Sequence, residues 1–234
     1  MITLKFGGTS MGSARRMINS AAIIISRAEK DRISVVVSAV AGVSNLLLES
    51  IEKCIAGGSP TQYVNSVRQT HYDICKDIAK ECSAFNCESA CKKLDPIFEE
   101  YEKLLTAVAS FGECPISVHC RIMGLGELLS SPIMESLLLA QKQKVAHIDS
   151  REVIVTTGAQ SEGDPDYVKT KQAFAPFVDG EQAVDARILL FPGFVCRWYN
   201  EETDTYLPGL LGRNGSDFSA AIVAVSLHAS KVEF

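Results

Sequence analysis

Ile2-Thr-Leu-Lys-Phe-Gly-Gly-Thr-Ser10 runs a short apolar strand, with Lys5 near its carboxyl end, straight into paired glycines and two hydroxyls. An amphipathic stretch from about 13 to 29 follows, with Ile18, Ala22 and Ile25 expected to face inward. Ile33–Ser38 then holds three consecutive valines, the pattern of a strand buried on both faces and hence of a parallel sheet between helices. The opening is a βαβ unit, and it decides an α/β fold. Its first turn gathers the backbone N–H groups of Gly7 and Gly8, the N-terminus of the helix that follows, and the Lys5 ammonium. That is what binding a phosphate chain requires, so a nucleoside triphosphate is the expected ligand. A plain tight turn would use the same glycines. The common phosphate loop, with Lys after its glycines, is absent, as is a G-x-G-x-x-G loop.

The chain has 234 residues, 47% hydrophobic and 22% charged, enough for one large domain or two small ones with a proper core. A net charge of −5 and the lack of any long Lys/Arg run argue against a nucleic-acid partner, so the substrate is expected to be small. No charged leader precedes a long apolar stretch, and purely apolar runs such as Ala21–Ile25 are too short to cross a bilayer. No membrane partner and a cytoplasmic location are therefore expected. The eight cysteines, Cys54, Cys75, Cys82, Cys87, Cys91, Cys114, Cys120 and Cys196, form no C-x-x-C pair and read as free thiols. Cys82, Cys87 and Cys91 offer a metal-binding alternative, but their spacing suits a helix better, and no metal ligands are assigned.

From Gly42 to Ser110 the pattern is helical throughout, as Val43–Ala56, Thr61–Cys82 and Glu88–Ala109, and these helices are expected to cap the sheet or form an interface. A helix over about Ser117–Gln141 is expected, interrupted by Gly124 and Gly126 and kinked at Pro132. Lys144–Asp149 and Val153–Thr156 read as strands, Asp166–Glu181 as mostly helix, and Ile188–Arg197 as a strand broken at Pro192-Gly193. Gly215–Ala229 is a helix, and Val232–Phe234 a further strand.

Three more stretches carry polar groups where chemistry would use them. Ser38-Ala39 and Ser44 lie in the turn that leaves the valine strand, and in an open α/β sheet ligands bind beyond the carboxyl ends of strands, beside the Gly7–Gly8 turn. Ser44 could equally cap the helix that follows. Glu127 is one carboxylate in the apolar stretch Gly124–Ser130; buried, it needs a cation, and a substrate ammonium would serve. On the outside of a helix it would need nothing. In Gly212-Arg-Asn-Gly-Ser-Asp217, Arg213 suits a carboxylate or phosphate, while Ser216 and Asp217 can cap a helix or, for Asp217, orient Lys5 or Mg²⁺.

Together, K-F-G-G-T-S at Lys5–Ser10, S-A-x-A-G-x-S-N at Ser38–Asn45, G-E-L-x-S at Gly126–Ser130 and G-R-x-G-S-D at Gly212–Asp217 resemble the aspartate kinase branch of the amino-acid kinase family. The resemblance runs over most of the chain. It implies one amino-acid kinase-like domain over 1–234, a three-layer αβα sandwich with a mainly parallel central sheet and a helical segment inserted at about 43–110. It also implies transfer of the ATP γ-phosphoryl group to the β-carboxylate of L-aspartate with Mg²⁺, the first step towards lysine, threonine and methionine. By resemblance, Lys5, Gly7, Gly8, Thr9 and Ser10 hold the ATP phosphates. Ser38, Ala39, Ser44, Glu127, Arg213 and Ser216 hold aspartate, and Lys5 and Asp217 act in catalysis. Asn214 stands where the family usually has glycine. After Lys231–Phe234 the family continues into a nucleotide-binding lobe and usually regulatory modules, so the chain is expected to carry the aspartate site with only the phosphate edge of the ATP site. Phosphorylation of glutamate or acetylglutamate, and a non-catalytic aspartate-binding fragment, are the competing readings. A homodimer through the helical region is a further expectation.

Overall fold

Ile33–Val37 (β2) is buried at every residue, Ser34 included, as its three consecutive valines require, because helices cover both faces of the sheet it centres. The computed structural model describes residues 1–178 and 186–234. The chain runs β1 (Ile2–Phe6), α1 (Gly8–Met11), α2 (Ala14–Ala28) and β2, then α3 (Val43–Ile55), α4 (Pro60–Glu81), α5 (Cys87–Phe111) and α6 (Ile116–Ala140). There follow β3 (Val145–His147), α7 (Ser150–Val153), β4 (Val155–Ala159), β5 (Glu162–Pro165) and α8 (Tyr167–Val178). The last elements are β6 (Ile188–Pro192), β7 (Val195–Asn200), β8 (Thr205–Leu210), α9 (Gly215–Ser226) and β9 (Val232–Glu233).

The central sheet is parallel throughout, in the order β3-β6-β2-β1-β9. Side chains alternate across it. Leu4, Phe6, Ile33, Val35, Val37 and Leu190 join a core with α2–α6, while Val36, Leu189 and Phe191 join a second core with Phe174 of α8 and Ala220 and Val223 of α9. The three-layer expectation thus holds. The helical segment does not cap the sheet: α4 and α5 form a second tier packed on α2, α3 and α6.

Several local expectations are corrected. The inward face of α2 is Met17, Ala21, Ile24 and Ala28, with Ala22 exposed; Ser13 caps the helix by accepting from the Arg16 N–H, and the stripe starts one residue earlier than expected. Gly124 and Gly126 do not interrupt α6; a Cβ at Gly126 would stand 2.8 Å from the Ala39 Cβ, and one at Gly124 2.7 Å from Val195 Cγ1. These glycines let neighbours approach the helix. By length and composition α6 could cross a membrane, yet 72% of its most apolar window is buried within the protein, as in a core helix.

Between β3 and β4 the chain makes the short turn α7, because the Asp149 carboxylate accepts from the Arg151 N–H. The expected strand 153–156 therefore begins only at Val155. The expected helix over 166–181 is α8, its last residues lying outside those described. The strand broken at Pro192-Gly193 is two strands, β6 in the central sheet and β7 in a second sheet of order β5-β4-β7-β8 that the sequence reading lacks. Residues 227–229, expected to continue α9, follow its end at Ser226. β9 pairs with β1 through Thr3↔Val232 and Leu4↔Glu233 at the sheet's edge.

Candidate active site

The parallel strands β1, β2 and β6 end on the same side of the sheet, and the turns leaving them meet the start of α9 around a cavity of about 690 Å³. Lys5 and Gly8 line it from the first turn, Ser38–Gly42, Ser44 and Asn45 from the second, Met123 and Glu127 from α6, and Phe194 with Gly212–Asp217 from the remaining two. Residues from all four motifs, one expected to hold phosphates and three to hold an amino acid, are therefore together.

Lys5 Nζ stands 2.5 Å from Asp217 Oδ1, an ion pair that fixes the ammonium at the cavity. Of the expected phosphate residues, Gly8 lines the cavity. Gly7, Thr9 and Ser10 lie outside its lining, Gly7 as the N-cap of α1 and Thr9 and Ser10 within that turn. Ser38 is held at both ends of its peptide: its N–H donates to Phe6 O at 3.0 Å, and its carbonyl accepts from Ser130 Oγ at 2.8 Å. Ser44 does not cap α3, whose N-cap is Gly42 at φ +84°. It is exposed at the cavity wall, free of the capping role.

Glu127 is 4% exposed, which excludes a carboxylate on the outside of a helix. Ser216 Oγ donates to its Oε1 at 3.2 Å, while Oε2 has no partner. Burial pushes its carboxyl up to about 7, against the Ala39 backbone, the Ser216 hydroxyl and the Lys5 charge, which all favour the anion. A buried carboxylate with a bare oxygen is incomplete without a cation. Arg213 is exposed, and among the described residues its guanidinium makes no hydrogen bond or ion pair. The cavity thus offers a carboxyl that burial keeps from ionising without a counter-charge, and an unpaired cation.

The cap of α9 is Asn214, in the left-handed region at φ 58°, ψ 26°, with no side-chain cap bond. Ser216 and Asp217 are accordingly released from capping and face Glu127 and Lys5. Asn tolerates this backbone where a β-branched residue does not. Asn214→Val is expected to lower stability by about 1–2 kcal/mol and Asn214→Gly by no more than about 0.5 kcal/mol, read from urea midpoints. Equal midpoints for the two variants would show that the conformation is not what the position selects.

Sequence reasoning missed Phe194, which lines the cavity at φ 66°. Its N–H donates to Ser219 Oγ at 2.8 Å and its carbonyl accepts from Leu211 at 3.0 Å, and the only signal was the Pro192-Gly193 break beside it. The cysteine alternative is not realised. Cys82 Sγ accepts from Gln141 Nε2, Cys87 and Cys91 lie one turn apart with sulfurs 4.0 Å from each other, and among the described residues no group of three such side chains is placed to hold a metal ion.

The sequence model of the amino acid kinase family matches residues 1–234. The bifunctional aspartokinase/homoserine dehydrogenase of Buchnera aphidicola subsp. Acyrthosiphon pisum is 28% identical over 234 residues, covering 100% of this chain and 28% of that protein. The aspartokinase of Chlamydia muridarum is 29% identical over 222 residues, covering 95% of this chain and 44% of the relative. The crystal structure of E. coli aspartokinase III in complex with aspartate and ADP superimposes with a TM-score of 0.83 at 25% identity, over 99% of this chain and 48% of the other. The chain thus spans less than half the length of each of these proteins.

Proposed function

Since the chain belongs to the amino acid kinase family, whose model spans all of it, we propose that it forms the acceptor site of an aspartate kinase, transferring the γ-phosphoryl group of MgATP to the β-carboxylate of L-aspartate. The observation that carries this reading is the pairing, across one cavity, of the bare Glu127 Oε2 with the unpartnered Arg213. An α-amino acid presents the complementary charges: its ammonium meets Glu127 and its α-carboxylate meets Arg213.

In the proposed reaction a β-carboxylate oxygen attacks the γ-phosphorus, the bond to the β,γ-bridging oxygen breaks, and ADP leaves with the electron pair. The nucleophile is already an anion at neutral pH, so no general base is needed. Charge grows on the leaving oxygens, and catalysis is then mainly positioning and electrostatic stabilisation. Lys5 supplies a fixed positive charge for it, oriented by Asp217. Magnesium enters as part of the MgATP substrate.

Arg213→Ala is expected to weaken aspartate binding about 10- to 100-fold, the loss of a charge-assisted contact, with little change in kcat at saturating aspartate. An unchanged aspartate KM would remove Arg213 from the acceptor site. The reading as a whole is tested by trapping the acyl phosphate with hydroxylamine, with MgATP and either L-aspartate or L-glutamate, on the purified protein. Aspartate-dependent hydroxamate is expected; product with glutamate alone would reassign the acceptor. No product, with aspartate still binding in a calorimetric titration, would leave a binding module.

A further inference from the structure

We propose that Arg16 is a positioning residue for the phosphate end of the nucleotide, acting through the turn α1 and not by touching the ligand. The inference rests on the nucleotide reading above. Arg16 Nη1 donates to Thr9 O at 3.0 Å, and Ser20 Oγ donates to Ser10 O at 3.3 Å. Two successive carbonyls at the far end of α1 are therefore tied to α2, the helix that Met17, Ala21 and Ile24 lock into the core. Among the described residues Arg16 pairs with no carboxylate, so the Thr9 carbonyl is the one partner its guanidinium has there.

The opposite side of the turn is pressed against the cavity. A Cβ at Gly8 would stand 3.3 Å from Ala39 O, one at Gly12 would stand 3.0 Å from the Ala41 Cβ, and one at Gly7 would stand 3.3 Å from Lys5 Nζ. Ala39, Ala41, Gly8 and Lys5 all line the cavity. The turn is a wedge between α2 and the cavity wall: glycines set how closely its front approaches, and Arg16 and Ser20 hold its back. Thr9 and Ser10 accordingly lie outside the lining, on the side of the turn that faces α2. Their carbonyls anchor the turn, and Gly8 and Lys5 face the ligand. Loss of the anchor frees the turn to rotate, which degrades nucleotide contacts and leaves the Glu127–Arg213 side of the cavity untouched.

The test is steady-state kinetics together with MgADP titration on the full-length protein. Arg16→Ala is expected to raise both KM for MgATP and Kd for MgADP about 5- to 10-fold, the loss of one hydrogen bond from a charged donor, with the aspartate KM changed less than twofold. Arg16→Lys restores most of the nucleotide affinity, because an ammonium reaches the same carbonyl. Ser20→Ala moves nucleotide affinity in the same direction by a smaller factor. Unchanged nucleotide affinity in Arg16→Ala, or equal losses for nucleotide and aspartate, overturns the proposal while leaving the kinase reading intact. A wild-type protein that binds no MgADP overturns both.

Discussion

Replacing Lys5 by alanine is expected to lower kcat about 10²- to 10³-fold, the usual consequence of deleting a preorganised charge aimed at a developing anion. The ammonium stands where the strand meets the phosphate turn, 2.5 Å from Asp217. Its side chain is 15% exposed. The variant keeps Glu127 and Arg213, and its aspartate affinity should stay within a few-fold of wild type. The decisive comparison is hydroxamate formation against aspartate titration for the same preparation. Near-normal turnover would refute the role of Lys5. Loss of both readouts would instead show that the ion pair holds the site together.

Glu127→Gln has an effect of comparable size and opposite signs in two assays. The buried carboxyl is held at about 7 against an ordinary 4.5, with burial the leading cause. Below pH 4.5 the folded and unfolded chains both carry the proton, and nothing is lost. As pH rises from 4.5 to 7 the unfolded chain gives up a proton that the folded one retains, so stability falls. Above 7 the full penalty of about 3 kcal/mol stands. Glutamine has no such penalty. The variant should exceed wild type by about 1–3 kcal/mol at pH 8, and the gap should close by pH 4.5. Aspartate binding moves the other way, weaker by about 10- to 100-fold because the ammonium loses its counter-charge. In the wild type, aspartate affinity should climb between pH 6 and 8 as the carboxyl ionises. Parallel stability-pH curves for the two proteins would mean that Glu127 is charged in the empty site.

The opening strand, the fully buried β2 and the four long helices α3–α6 were legible because each carries one dominant period over many residues, or none at all where both faces are covered. The motif residues were legible because glycines, hydroxyls and single charges stand out against apolar stretches, and the topology brings Lys5, Ser38, Glu127, Arg213 and Ser216 to one cavity. The second sheet was not legible. β5 is Glu-Gly-Asp-Pro, and β8 contains Pro208-Gly209; both read as turns, and Gly209 is there because a Cβ would stand 2.8 Å from the Trp198 Cβ. Partner geometry, not local preference, makes them strands. For the same reason the capping readings of Ser44, Ser216 and Asp217 failed. Glycine and asparagine with positive φ took the caps, and the sequence does not print φ.

The cavity wall is drawn from residues 5–8, 38–45, 123–127, 194 and 212–217. No fragment that ends before the last of these carries the site, so during synthesis the cavity does not exist until residue 217 has emerged. A parallel sheet whose first strand has β2 on one side and the late-made β9 on the other is assembled through long-range closures, which are slow. A small molecule that binds only the finished cavity therefore rewards complete folding. At a hundred times its Kd it adds about 2.7 kcal/mol to the native state and none to any partial one. Occupancy of the site is in that sense a proofreader of the fold, and cells rich in the ligand would hold more of the chain intact.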